Sequence, residues 1–163
     1  MNEDIQKILK LIISKVDSTK LVWAVVGSTN LALQGVNIET HDIDILTTEK
    51  DVFKIEKILN QYITKSVRYT ENGFFKSYFG KFQINGVKVE IMANLQTKQK
   101  GTNWSNKARL DKRIYIKYKN LTLPVIPLLE EYKAYVKMGR VETAEKIKIV
   151  LDDYNDQLLT ERF

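Results

Sequence analysis

Apolar residues open the chain at helical spacing. Ile5, Ile8, Leu9, Ile12, Ile13 and Val16 recur at intervals of three and four, which predicts an amphipathic helix over about 3–16. The pattern then changes. Leu21 to Val26 is a continuous apolar run ending at Gly27, the signature of a strand buried on both faces. Ser28 is placed to cap a short helix through Gln34, with Gly35 as its stop. Asp42 to Thr47 alternates as a strand does, and Thr48 is placed to cap a helix over about 49–63 whose inner face is Val52, Ile55, Ile58, Leu59 and Tyr62.

Alternating runs at 74–84 and 87–93 flank Asn85-Gly86, a two-residue hairpin turn because both positions tolerate positive φ. In that register Lys88, Glu90 and Met92 share one face and Val87, Val89 and Ile91 the other. Residues 94–111 read as a polar loop with at most a short helix, and 113–119 with 121–126 as a second hairpin around Asn120. Pro127 opens a helix to about Met138, Gly139 breaks it, and 141–154 forms the last helix. This order predicts an α/β (α+β) fold, a twisted mixed β-sheet backed by helices. The expected organisation is one compact unit, a core of residues 1–126 with the helices of 127–163 packed on it.

Composition narrows the chemistry. The chain has 163 residues and no cysteine, which excludes thiolate metal sites, cysteine nucleophiles and disulfides. Met1 to Lys7 carries acids and no leader pattern, and no apolar run approaches the roughly 20 residues that span a bilayer, so a cytoplasmic protein is expected. The net charge is +6 and unevenly spread. Between Gln96 and Lys119 stand Lys98, Lys100, Lys107, Arg109, Lys112, Arg113, Lys117 and Lys119 against the single acid Asp111. Such a segment favours anionic partners, a nucleoside triphosphate or a nucleic acid.

Against this basic background three carboxylates stand out. His41-Asp42-Ile43-Asp44-Ile45 puts both aspartates on one face of a strand, and Glu90 sits in a second strand with the same apolar flanks. Carboxylates in strands that ought to be core are costly unless a cation offsets them. Hard oxygen donors suit Mg²⁺ or Mn²⁺, and two such ions beside a polyphosphate are what nucleotidyl transfer requires. Thirteen residues separate Gly27-Ser28 from Asp42, and the pair stands at a strand end where backbone can approach a phosphate. Each element has a plainer reading. Gly-Ser is a common turn, Asp-Ile-Asp fits a strand with one wet face, and Glu90 could simply pair with Lys88 or a lysine across the hairpin. His41 points away from the aspartates and is expected to be structural or exposed.

Val26-Gly27-Ser28, the spacing to Asp42-Ile43-Asp44 and the later Val89-Glu90-Ile91 resemble the signature of the DNA polymerase beta-like nucleotidyltransferase superfamily. Gly27 to Gly35 followed by His41 to Asp44, Val87 to Met92 and Tyr135 to Arg140 are similar to its lincosamide nucleotidyltransferase-like subgroup. The resemblance covers about residues 20–150. It implies the nucleotidyltransferase fold with a short C-terminal helical part. It implies Asp42, Asp44 and Glu90 as catalytic residues and ligands of two Mg²⁺ or Mn²⁺ ions, Gly27 and Ser28 as nucleotide-binding, and Lys137 as a residue reaching the triphosphate. Many relatives carry Arg two residues before the position of Thr40; here it is Ile38, so that Arg's part in ordering the loop or gripping phosphate is missing or moved.

The expected activity is transfer of an NMP, AMP first, from an NTP to a small-molecule, protein or RNA hydroxyl with release of pyrophosphate. The short C-terminal part leaves room for a homo-oligomer to complete the acceptor surface. The competing expectation is a nucleotide- or RNA-binding module, or a subunit of a toxin–antitoxin pair. Trp104, Tyr115 and Tyr118 among the lysines would then be its stacking platforms.

Overall fold

The computed structural model describes residues 1–16 and 20–160. Seven strands form one mixed sheet. They are β1 (Trp23–Val26), β2 (Asp42–Thr47), β3 (Ile63–Glu71), β4 (Phe75–Ile84), β5 (Val87–Thr97), β6 (Ile114–Tyr118) and β7 (Leu121–Val125), in spatial order β3-β4-β5-β2-β1-β7-β6. β2 runs parallel to β5 and antiparallel to β1, and β1 runs parallel to β7. The helices are α1 (Glu3–Val16), α2 (Gly27–Leu33), α3 (Glu49–Ile58), α4 (Leu128–Lys137) and α5 (Val141–Thr160). None of them is long and apolar enough to cross a membrane.

One face of the sheet is the main core. Ile5, Ile8, Leu9, Ile12 and Val16 of α1 pack with Val52 and Ile55 of α3 against Val25, Ile43, Ile45, Val89 and Ile91. Each such side chain contributes about 2 kcal/mol on leaving water, so this face anchors the strands. The alternation that sends these residues inward sends Asp42, Asp44, Lys88 and Glu90 to the opposite face. That face is closed at one end by a smaller cluster in which Leu31 and Val36 meet Leu128, Tyr135, Ala144 and Ile147. Between them the two packings leave a cleft above the carboxylates.

Most predicted elements are present. Asn85 and Gly86 both have positive φ in the β4–β5 turn (47° and 83°), and Thr48 caps α3 by accepting the Asp51 N–H at 3.1 Å. Three expectations change. Ser28 does not cap α2: the helix begins two residues earlier than such a cap would place it, behind Val26, and no side chain caps it. The predicted helix over 49–63 ends at Ile58, and a 3₁₀ turn at Asn60–Tyr62 leads into β3. β3 itself goes unpredicted, because it is an edge strand with mostly exposed side chains and an irregular register against β4. Its polar residues break the apolar rhythm that marks strands with a buried face.

Candidate active site

The site follows from strand register. In the parallel pairing of β2 with β5, Asp44 lies directly opposite Glu90 and Asp42 directly opposite Lys88. All four side chains therefore share one face. The Lys88 ammonium lies 2.9 Å from Asp42 Oδ2 and 3.4 Å from Glu90 Oε1, so one cation spans the two carboxylates. Lys81, opposite Glu90 on β4, adds a second contact at 3.0 Å. The plain expectation for Glu90, a lysine partner across the hairpin, holds here, and the carboxylates also converge.

Asp44 is treated differently. It makes no ion pair among the described residues, and burial, with Asp42 and Glu90 close by, raises its pKa to about 7. Among the described residues no three acidic or histidine side chains are gathered into a ready-made metal site, and Lys88 contacts two of the carboxylates. The donors present are carboxylate oxygens, the kind of ligand that Mg²⁺ and Mn²⁺ take. An ammonium already occupies the space between Asp42 and Glu90, and Asp44 beside them is short of positive charge.

Gly27 follows β1, whose Val26 pairs with Asp44. Its φ is +70°, and a Cβ there would stand 2.6 Å from Asp44 Oδ2. Only glycine combines that backbone with that approach. Gly27→Ala should therefore cost about 1–2 kcal/mol in backbone strain and push the Asp44 carboxylate aside. Its melting temperature will fall, and nucleotide affinity will fall by more than the stability loss explains.

A fourth carboxylate escaped the sequence reading. Glu131 of α4 is buried, and its Oε1 accepts from the Gly27 N–H at 3.0 Å and from Asn30 Nδ2 at 2.7 Å. Asn30 also donates to the Ile126 carbonyl, and Gln34 donates to both Asn30 Oδ1 and Ile126. This network ties α2, α4 and the end of β7 to the Gly27 turn. Burial lifts the Glu131 pKa to about 7 although both hydrogen bonds favour its charge. The signal was present in the sequence: Leu128, Glu131 and Tyr135 recur at helical spacing and all three are buried, so the acid lies on an apolar stripe.

Gly27, Asp44, Glu90 and Glu131 line a cleft of about 780 Å³, with Lys137 on its α4 wall. The Lys137 carbonyl accepts from Gln99 Nε2, while its ammonium has no partner among the described residues. Asp42 and Ser28 lie outside the lining, Asp42 held by Lys88 and the Ser28 hydroxyl without a hydrogen bond among the described residues. Gly27 turns its amide to Glu131 rather than to the open cleft. His41 is exposed and 3.3 Å from Glu39, as expected of a surface residue. Ile38 packs beside the α2–α4–α5 cluster, so the position where relatives carry Arg is part of an apolar contact.

A family described as aminoglycoside-2''-adenylyltransferase matches residues 8–149. This chain belongs to that family of nucleotidyltransferases. A solved structure from Thermotoga maritima, described as a nucleotidyltransferase, is 35% identical with a TM-score of 0.79, covering 94% of this chain and 96% of that one. The lincosamide antibiotic adenylyltransferase LnuA, solved with lincomycin bound, shares the fold at 12% identity and a TM-score of 0.59, over 92% of this chain and 98% of its own. ANT(2'')-Ia, solved in complex with adenylyl-2''-tobramycin, does so at 10% identity and 0.54, over 96% and 99%. No curated protein matches the sequence. In this nucleotidyltransferase the cleft lies on the face of the sheet that α1 and α3 leave uncovered.

Proposed function

We propose that this nucleotidyltransferase depends on divalent cations and moves an NMP, AMP first, from an NTP to an acceptor hydroxyl. The observation that carries the reading is the convergence of Asp42, Asp44 and Glu90 on one sheet face beside the glycine turn at Gly27. The adenylyl preference is supported by the family to which the chain belongs.

Asp42, Asp44 and Glu90 would hold two Mg²⁺ or Mn²⁺ ions, whose chemistry when bound is to neutralise phosphate charge and sharpen the attacking oxygen. The protein's own groups do the rest. The α2 turn at Gly27 and Ser28 receives the triphosphate, and Glu131 fixes that turn by holding the Gly27 amide and Asn30. Lys137, on the cleft wall with no partner for its ammonium among the described residues, supplies a charge clamp. The acceptor oxygen forms a bond to the α-phosphorus, and the bond from that phosphorus to the oxygen bridging to the β-phosphorus breaks. Pyrophosphate leaves with that electron pair, and Glu90 takes the hydroxyl proton. Lys88 must give up one carboxylate contact as the site fills.

Incubating the protein with Mg²⁺, α-phosphate-labelled NTPs and cell extract should move label onto an acceptor and release unlabelled pyrophosphate. Binding of ATP without any transfer of label would instead describe a binding module. Lys137→Ala should raise the KM for NTP about tenfold with a smaller change in kcat, the loss expected of one charge-assisted contact.

A further inference from the structure

A second hollow adjoins the cleft where β4 begins and β5 ends. Phe75 pairs with Thr97 at these strand ends, and the Lys98 N–H donates to the Phe74 carbonyl at 2.9 Å, which holds 74–75 beside 97–98. The opposite wall is the turn from α4 into α5. Gln99 Nε2 donates to the Lys137 carbonyl at 2.7 Å, and a Cβ on Gly139, whose φ is +71°, would stand 3.2 Å from the Gln99 side chain. The two walls are therefore seated closely on each other. Phe74, Phe75, Lys98, Lys100 and Arg140 line the hollow, whose volume is about 400 Å³. Phe75 and Arg140 also line the main cleft, whereas Phe74, Lys98 and Lys100 do not.

The charged side chains of this lining are Lys98, Lys100 and Arg140, with no carboxylate among them. The Lys98 and Lys100 ammonium groups have no ion-pair partner among the described residues. Lys98 lies over the Trp104 ring at 4.5 Å and Arg140 over the Tyr135 ring at 5.7 Å, so both cations are held in place by aromatic faces. Glu142, two residues past Arg140, is paired with Lys146 at 3.0 Å. In the same lining the rings of Phe74 and Phe75 stay 53% and 36% exposed. We infer that this hollow binds a short stretch of single-stranded nucleic acid. Bases stack on Phe74 and Phe75 while phosphates meet Lys98, Lys100 and Arg140. A run of acidic side chains would satisfy the cations and leave both phenyl rings in water. The inference stands apart from the nucleotidyl-transfer reading, since none of its contacts uses Asp42, Asp44 or Glu90.

Fluorescence anisotropy on the full chain tests it with labelled single-stranded RNA and DNA of about eight nucleotides and with a labelled glutamate peptide of the same length. At least one oligonucleotide should bind about tenfold more tightly than the peptide. Its affinity should fall with salt at a log–log slope of about −2, as expected for phosphates held by Lys98, Lys100 and Arg140 on a single strand. Phe74→Ala should weaken it about fivefold or more, the loss expected of one stacked base. Lys98→Glu/Lys100→Glu should weaken it at least about tenfold and flatten the salt slope. Lys117→Glu/Lys119→Glu makes the same change of charge at β6, the other edge of the sheet, and should leave binding within about twofold. Asp44→Asn, in the main cleft, should do the same. Absence of binding by both oligonucleotides overturns the inference. So does a glutamate peptide that binds as tightly as either of them, an equal loss in the two charge reversals, or full binding by Phe74→Ala.

Discussion

Asp44→Asn is expected to lower nucleotidyl transfer by about 10³-fold or more while raising the melting temperature of the ligand-free protein near pH 8. The two effects have one cause. Asp44 is desolvated, faces the carboxylates of Asp42 and Glu90 and has no ion-pair partner among the described residues, so its folded-state pKa rises from 3.8 to about 7. A carboxyl whose pKa is raised by folding stabilises the folded state only while protonated. Its contribution is full below about pH 4 and is lost as pH climbs through about 7. Above that, asparagine removes a repulsion that the wild type retains. The gain should be about 2–4 °C for each kcal/mol in a chain of this size, and it should vanish near pH 5, where the wild-type group is protonated. Saturating Mg²⁺ with an ATP analogue should reverse the order, stabilising the wild type and leaving the variant unmoved. Thermal melts at two pH values, with and without ligand, check all of this. An Asp44→Asn protein that is less stable at both pH values and still transfers nucleotide would remove Asp44 from the site.

Glu131 carries the second large expectation. Its pKa is raised from 4.5 to about 7 by burial, so the same sign applies: stability falls as pH rises from about 4.5 through 7. A shift of that size corresponds to about 3 kcal/mol. Glu131→Gln keeps an oxygen to accept from the Gly27 N–H and Asn30 and removes the titration. Urea melts should show the wild type losing stability between about pH 5 and pH 8, and the variant nearly flat over that span. Glu131→Leu leaves the Gly27 and Asn30 donors without an acceptor and should cost about 1–3 kcal/mol at either pH. It should also raise the KM for NTP, since the Gly27 turn loses its brace. A wild type whose stability does not change across this range would show that Glu131 stays ionised in the fold.

The parts of the site that could be read from the sequence are those encoded by short-range alternation. Asp42 and Asp44 share a face because strand side chains alternate, and Glu90 joins that face because Asn85-Gly86 sets the hairpin register. Gly27 could be placed at a strand end, though not the reason only glycine serves there. That reason is the approach of Asp44 from the next strand, a contact between chains of atoms seventeen residues apart. What stayed hidden depends on which strands become neighbours. Lys88 reaches Asp42 only because β5 lies beside β2, and Lys65 comes beside Lys81 only through β3, an edge strand with too little apolar pattern to announce itself. Glu131 was hidden by company: next to Glu130 it resembles the ordinary acidic first turn of a helix, but Glu130 is half-buried and paired with Lys112 and Lys133 while Glu131 is buried. The Ser28 cap failed for a local reason, since Gly27 at positive φ turns the chain early and starts α2 two residues sooner.

On the proposed reading Asp42, Asp44 and Glu90 together receive divalent cation next to the Gly27 turn. The most direct measurement is a crystal structure with Mn²⁺ and a non-hydrolysable ATP analogue, read by manganese anomalous scattering. Anomalous peaks are expected within about 2.5 Å of carboxylate oxygens of all three residues, with the triphosphate against Gly27 and Ser28 and the Lys88 ammonium moved off at least one carboxylate. Nucleotide bound in the cleft with no manganese on Asp44 and Glu90, or manganese held elsewhere while Lys88 keeps both of its contacts, would contradict it.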